Sequence, residues 1–265
     1  MSQSKILAFS HIPKTAGSSF NFLLRRYFGH DLLSVRTRGE HNSFYRFCDC
    51  CADLKQFTKT RCIAGHPLKP FVDFGSLEQT FHWFVFFRKP AERFISHYLY
   101  QQAGKDPRYH MDVVEWTKKF NRSNLQVQWL AGKEDLQAAI QILDEKISTI
   151  GITNQFDLSL FNLCASTNMR GFPTSIKTIK NRSRQSKIEK DKLKNNKKYY
   201  EVIQEANALD QQLYNYALTK FKQQTEKYQG KQMEPRRLGI VKENANLFKY
   251  QVRNKLIYPV TMRWK

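Results

Sequence analysis

The sequence lacks any long hydrophobic run. No stretch of about 18 or more consecutive apolar residues, the length that a membrane-spanning helix needs, occurs in the 265 residues. The first five residues, MSQSK, lead directly into an apolar segment at residues 6–9, which leaves no room for an N-terminal signal or anchor. We therefore expect a cytoplasmic protein.

Acidic residues are scarce. Asp and Glu number 23 against 44 Lys and Arg, which gives a formal net charge of +21. Such a surplus indicates a polyanionic partner: a nucleotide, an acidic glycan, nucleic acid or an anionic membrane surface. Within residues 177–198, ten Lys and Arg stand against two acids. This run is either a solvated face or a segment that brings Lys180, Arg182 and Arg184 over an anionic ligand.

Cysteine is infrequent and unevenly placed. Four of the five cysteines lie within residues 48–62, as Cys48, Cys50, Cys51 and Cys62. No second pair of cysteines follows this group, so a zinc site is not favoured. We expect reduced thiols, most of them buried, and no bound metal.

The triphosphate-binding motif G-x-x-x-x-G-K-[ST] is also missing. Residues 11–20 read HIPKTAGSSF, in which Lys14 precedes the single glycine, Gly17. The position that would hold Mg²⁺ in a triphosphate loop is therefore absent. This order of residues argues against an ATP-dependent phosphotransferase.

Residues 11–20 still have the composition of an anion-binding loop. A buried strand is predicted before them at residues 6–9, and a helix with apolar residues at helical spacing is predicted after them. The free N–H groups at a helix start, the hydroxyls of Ser18 and Ser19 and the charge of Lys14 all favour a phosphate-like ligand. The alternative is an ordinary strand-to-helix turn with a capping serine.

A second strand-loop-helix unit follows later in the chain. Residues 82–87 (HWFVFF) predict a buried central strand that ends at Arg88, and Pro90 suits the first turn of the next helix. A brief apolar run at residues 62–64 places His66 at another strand exit, where α/β sheets hold ligands. Further elements are predicted at these positions: a strand at residues 149–153 and helices at residues 42–58, 133–146, 157–164, 189–206 and 209–228.

The alternation of strands and helices predicts an α/β fold. We expect a single P-loop-like domain at residues 1–230, with a central, mainly parallel sheet flanked by helices and a helical C-terminal region. Residues 231–265 carry nine Lys and Arg and form a separate basic tail in this prediction. The oligomeric state is left open.

Three segments together resemble the carbohydrate sulfotransferases of the heparan sulfate 2-O/6-O type and their bacterial relatives. They are the loop at residues 11–20, the Gly-His-Pro turn at residues 65–67 and residues 87–98 (FRKPAERFISHY), with further matches at residues 151–160 and 210–214. The likeness spans residues 5–228. Lys89 departs from the family pattern, which has an acidic residue there.

The resemblance implies 3′-phosphoadenosine 5′-phosphosulfate (PAPS) as sulfuryl donor and a carbohydrate hydroxyl as acceptor. It implies that the 5′-phosphosulfate is held by six loop residues, namely Lys14, Thr15, Ala16, Gly17, Ser18 and Ser19. It likewise implies that Arg88 and Ser96 hold the 3′-phosphate. An acidic polysaccharide suits the basic surplus, as does contact with an anionic membrane surface, and we expect no nucleic-acid partner.

The chemistry of the transfer selects two catalytic candidates. Histidine has an unperturbed pKa suited to a general base near neutral pH, and we assign this role to His66, as the resemblance also does. Its alternative role is a turn histidine that bonds the backbone, and Glu92 is the reserve base. Lys14 is predicted to stabilise the leaving phosphate. A non-catalytic polyanion-binding protein remains the other alternative to transfer.

Overall fold

Five short apolar segments form one parallel sheet in the computed structural model, which describes residues 5–35, 44–120, 123–167, 169–173, 187–230, 246 and 248–251. The strands are β1 (Ile6–Ser10), β2 (Leu32–Ser34), β3 (Cys62–Gly65), β4 (Phe81–Phe87) and β5 (Ile147–Ile152). They lie in the order β2-β3-β1-β4-β5, and each neighbouring pair is parallel. The predicted α/β fold with a central parallel sheet is confirmed.

Helices cover both faces of this sheet and continue into a helical C-terminal region. Their bounds are α1 (Gly17–Phe28), α2 (Phe47–Gln56), α3 (Pro90–Gln102), α4 (Val113–Lys119), α5 (Leu125–Ala131), α6 (Leu136–Glu145), α7 (Phe156–Thr167), α8 (Lys187–Asn195), α9 (Lys197–Glu205) and α10 (Ala208–Tyr228). In the part of the chain that the structure describes, none of these helices combines the length and the apolar surface that crossing a membrane requires.

The sequence of β4 is apolar throughout because both of its faces are buried. Phe84 and Phe86 pack on one side of the sheet with residues of α1 and α7. Trp83, Val85 and Phe87 pack on the other side, where α5, α6 and α10 lie. A third apolar cluster joins α3, α4 and α9, and Leu193 attaches α8 to it.

Two helix predictions need correction. The single helix predicted at residues 189–206 is wrong, because the chain forms α8 and α9 with Asn196 between them. The Asn196 side chain accepts a hydrogen bond from the Tyr199 N–H at 3.1 Å and so caps α9, a role that favours Asn over continuation of a helix. The helix predicted at residues 42–58 is shorter, since residues 44–46 precede α2 without helical structure and residues 42–43 lie outside the described residues.

Part of the C-terminal segment packs against the domain. The Asn246 side-chain amide donates to the carbonyl oxygens of Arg26 and Tyr27 at the end of α1. Tyr250 is buried, and its hydroxyl lies 3.0 Å from that of Ser34 in β2. The proposed boundary at residue 230 stays a prediction, and Lys180, Arg182 and Arg184 lie outside the described residues.

Candidate active site

Three predicted strand exits meet at one edge of the sheet. β3, β1 and β4 are adjacent and parallel, so the loop at residues 11–16, His66 and Arg88 all follow carboxyl ends at the same edge. In the strand order, the chain runs from β1 to β2 in one direction along the sheet, and it runs from β4 to β5 in the opposite direction. Such a divergence of connections opens a crevice between two strands, which is where open α/β sheets bind ligands.

The loop after β1 is held in an unusual backbone conformation. Lys14 and Ala16 have φ angles of 69° and 68°, in the left-handed region that residues with a Cβ seldom adopt. Thr15 between them is buried, and its hydroxyl donates to the Ile12 carbonyl at 2.9 Å. The Thr15 hydroxyl therefore shapes the loop, and only its backbone is available to a ligand.

The first turn of α1 has no side-chain cap. Ala16 occupies the cap position and makes no capping hydrogen bond, so the N–H groups of Gly17, Ser18 and Ser19 begin the helix without the side-chain acceptor that usually satisfies one of them. The Ser18 side chain is exposed and that of Ser19 is partly exposed. These groups form the end of a helix that is positively polarised by its dipole.

Arg88 links the second strand exit to the first. Its guanidinium donates to the Lys14 carbonyl at 3.1 Å, and its Nε lies 3.7 Å from a carboxylate oxygen of Glu92. The Gln126 side chain accepts from the Arg88 N–H and donates to the Arg88 carbonyl, both at 3.1 Å. The Arg88 backbone is thus fixed at the crevice.

Positive charge accumulates around the Lys14 side chain. Burial, with smaller contributions from Arg88 and Lys190, lowers the pKa of Lys14. The Lys14 Nζ lies 4.0 Å from the centre of the Tyr100 ring, whose face attracts a cation. An anion placed beside Lys14 and Arg88 would relieve the repulsion between these like charges.

Lys190 of α8 is the residue of this group that the sequence did not single out. It stands three positions before Leu193, which is buried against α3 and α9, so both residues occupy one face of the helix. The three-residue spacing between Lys190 and the apolar Leu193 is the feature of the sequence that could have singled out Lys190 within the basic run at residues 177–198.

His66 has the protonation pattern of a general base. Its Nδ1 lies 2.7 Å from the His11 carbonyl oxygen, so Nδ1 carries the proton and Nε2 is left as the acceptor. The side chain as a whole is exposed, but the ring stacks on His11 at 4.0 Å and meets the edge of Trp129 at 5.9 Å. This local desolvation lowers the pKa of His66, which keeps the ring neutral near pH 7.

His11 has a packing role instead. Its side chain is buried, and burial together with the charges of His66, Lys69 and Lys14 lowers the pKa of His11 to about 2. A Cβ added at Gly17 would lie 1.8 Å from the His11 Nε2. The His11 ring therefore fills the space that Gly17 leaves open at the start of α1.

Ser96 is not brought to the loop by any direct contact. It is buried within α3 at 6% exposure, and in the described part of the chain no hydrogen bond joins it to Lys14 or Arg88. Its assignment to the 3′-phosphate stays a prediction.

Asp210 supports the site from beneath. Its buried carboxylate accepts hydrogen bonds from the N–H groups of Gln126 at 3.1 Å and Val127 at 2.8 Å, at the start of α5. The Gln126 side chain in turn bonds the backbone N–H and carbonyl of Arg88, so the Asp210 carboxylate helps to fix Arg88. Burial raises the pKa of Asp210, while the nearby Arg93 charge opposes that shift.

We expect Asp210→Ala to lower the free energy of unfolding by about 1–3 kcal/mol, because two buried N–H groups lose their acceptor. Asp112→Ala is the matched control, because Asp112 also accepts from two backbone N–H groups as the cap of α4 but is exposed, so we expect its loss to cost less, about 1 kcal/mol. Urea unfolding of both variants measures the difference. Equal losses would show that burial of the Asp210 bonds has no special weight.

A separate open cavity of about 1020 Å³ lies at the opposite edge of the sheet, beside Lys5, Arg61 and Thr80 at the amino ends of the strands. None of the predicted site residues lines it. Among the described residues, no group of three His, Cys, Asp or Glu side chains is arranged to hold a metal ion.

The fold and this end of the sheet define an α/β protein with a crevice lined by basic side chains at the carboxyl ends of its central strands. Comparison with known proteins found no family model that matches the chain and no significant match to a curated protein.

Proposed function

We propose that the protein is a PAPS-dependent sulfotransferase that acts on a hydroxyl group of a carbohydrate. The observation that carries the proposal is the hydrogen bond from the Arg88 guanidinium to the Lys14 carbonyl. It joins two basic strand exits at the crevice, with the base His66 at the neighbouring strand exit. A donor with two separate phosphate groups suits two basic sites placed side by side.

The residues present fit such a donor. Lys14 and the uncapped N–H groups of α1 would hold the 5′-phosphosulfate. Arg88 would hold the 3′-phosphate in this assignment. Its guanidinium lies beside the Glu92 carboxylate, and its backbone is fixed by Gln126. PAPS supplies the activated sulfuryl group, and the remaining chemistry belongs to the protein.

Transfer needs positioning and charge stabilisation more than covalent catalysis, as phosphoryl transfer does. His66 Nε2 accepts the proton of the acceptor hydroxyl as that oxygen bonds to sulfur. Lys14 stabilises the charge that forms on the phosphate oxygen as its bond to sulfur breaks. The hydrogen bond from His66 Nδ1 to His11 keeps Nε2 available throughout.

Thermal stabilisation by 3′-phosphoadenosine 5′-phosphate (PAP), the product that retains both phosphates, tests the donor site. We expect PAP to raise the melting temperature and ATP with Mg²⁺ to have little effect. The reverse preference would favour an ATP-dependent phosphotransferase. Transfer itself is tested by a screen of acidic and neutral glycans with PAPS labelled in the sulfuryl group, and binding of PAP without transfer to any glycan would leave a polyanion-binding protein.

We expect Lys14→Met and Arg88→Met each to weaken PAP binding by about tenfold or more, because a hydrogen bond to a charged group contributes about 1.5–3 kcal/mol. Titration calorimetry measures the affinity. Lys118→Met removes an exposed lysine on α4 and is the matched control for loss of one positive charge. Unchanged affinity in both site variants would refute the two-loop donor site.

A further inference from the structure

Lys69 stands in a rigid segment three residues after His66. Pro67 and Pro70 restrict the backbone on either side of it. The carbonyl of Leu68 accepts from the Ser10 hydroxyl at 2.8 Å, and the carbonyl of Lys69 accepts from the Val72 N–H at 3.2 Å. The position of Lys69 relative to β1 and His66 is therefore fixed by the fold.

The side chain of Lys69 rests on Trp129 of α5. Its Nζ lies over the indole ring, 2.6 Å from the ring centre. The indole N–H donates to the Ser10 hydroxyl at 3.0 Å, which anchors the ring at the end of β1. Because the same indole meets the His66 ring at 5.9 Å, Trp129 holds the Lys69 amine beside the base.

Lys69 has no counter-charge in the part of the chain that the structure describes. No carboxylate there lies within ion-pair distance of its Nζ, and the titratable groups on which its charge acts are His66 and His11. Burial lowers the pKa of Lys69 to about 6. A half-buried amine among basic groups is unfavourable for the empty protein, and such placements are concentrated at functional sites.

We propose that Lys69 binds the sulfonate oxygens of the donor, between Lys14 on the leaving side and His66 on the accepting side. This inference rests on the proposed function, because it specifies how the same site holds the group being transferred. The sulfur must lie between the leaving oxygen near Lys14 and the acceptor oxygen near His66. Lys69 and Lys14 both act electrostatically on His11, and Lys69 also acts on His66, so both amines lie near the stacked His11 and His66 rings.

Two consequences distinguish this role from general donor binding. A cation on the sulfonate contacts PAPS but not PAP, which lacks that group. The uncharged amine must also gain a proton when the sulfonate arrives, since the anion favours the ammonium form. Binding of PAPS near pH 7 therefore takes up a proton at Lys69, while binding of PAP does not.

The test is Lys69→Met, compared with the wild-type protein and with the control Lys118→Met. We expect the variant to bind PAP within about twofold of the wild type and to transfer the sulfuryl group about 100-fold more slowly, the loss typical of removing one preorganised charge-stabilising donor. Calorimetry in buffers of different ionisation enthalpy should show proton uptake with PAPS for the wild type and none for Lys69→Met. The unchanged affinity for PAP also shows that the variant is folded.

Three results would overturn the inference. Transfer by Lys69→Met at the wild-type rate would remove its catalytic basis, and unchanged proton uptake in the variant would assign the proton to another group. A loss of PAP affinity equal to the loss of PAPS affinity would make Lys69 a general donor cation. Failure of the wild type to bind PAP is a separate outcome, because it refutes the proposed function on which the inference rests.

Discussion

Replacement of His66 by alanine is expected to slow sulfuryl transfer by about 10²–10⁴-fold while leaving PAP binding unchanged. The histidine contributes a proton acceptor at Nε2 and contacts no phosphate in the proposed arrangement, so its loss affects the chemical step alone. General base catalysis by a positioned side chain typically contributes about 10²–10⁴-fold to the rate. A labelled-transfer assay should show a loss of this size, and calorimetry should show PAP affinity within about twofold of the wild type.

The pH dependence of the transfer gives a second measure of the same residue. The pKa of His66 is lowered from its ordinary value of 6.5, so the neutral, proton-accepting form already predominates at pH 7. At saturating PAPS, which keeps Lys69 protonated in the proposed arrangement, the rate should stay constant above about pH 7 and fall only as pH decreases through the lowered pKa of His66. Measurement of kcat/KM for the glycan at saturating PAPS, from acid to neutral pH, should place this acid limb below pH 6.5.

His110 offers a matched control, because it is an exposed histidine whose Nε2 bonds the Gly104 carbonyl, away from the crevice residues Lys14, His66 and Arg88. His110→Ala should transfer at the wild-type rate. Retained activity in His66→Ala, or an acid limb above pH 7, would exclude His66 as the base. Glu92→Gln would then be the next variant, since Glu92 lies at the same crevice beside Arg88.

The strands of this fold are readable from local sequence, but their order is not. The aromatic run at residues 82–87 predicts a strand with both faces buried, and β4 is such a strand. The side-by-side pairing of β1 and β4 depends on where distant helices pack, which no local pattern encodes. The contact between Arg88 and Lys14 follows from that pairing, so the sequence could suggest both residues but not their meeting.

Lys69 and Asn196 show two further reasons for incomplete prediction. The partial burial of Lys69 results from a tryptophan 60 positions later in the chain, so a local reading sees only a loop lysine between prolines. Asn196 interrupts a run of lysines that otherwise favours one long helix, and its capping bond decides against that helix. The burial of Lys69 depends on a tertiary contact that no local pattern shows. The end of the helix at Asn196 was readable locally, because Asn is a common capping residue.

Gly17→Ala is expected to cause the largest loss of stability of any small substitution at the site. Gly17 has no positive φ, so alanine would suit its backbone and would ordinarily stabilise a helix relative to glycine. The added Cβ would instead lie 1.8 Å from Nε2 and 1.9 Å from Cδ2 of His11. The His11 ring has little room to retreat, because Phe9 and His66 stack on it.

Overpacking of a buried site typically costs about 1–3 kcal/mol, and the enclosure of His11 places Gly17→Ala at the upper end. We expect a fall in melting temperature of roughly 5–10 °C for a chain of this size, together with loss of PAP affinity because the start of α1 is displaced. Differential scanning calorimetry and PAP titration measure the two effects.

The double variant Gly17→Ala/His11→Ala separates steric conflict from any other role of the glycine. Removal of the His11 imidazole vacates the volume that the new Cβ would occupy, so Gly17→Ala should cost little stability in a His11→Ala background. The coupling between the two changes should therefore account for most of the Gly17→Ala effect. If Gly17→Ala costs the same in both backgrounds, then close approach of the His11 ring is not the reason for glycine at this position.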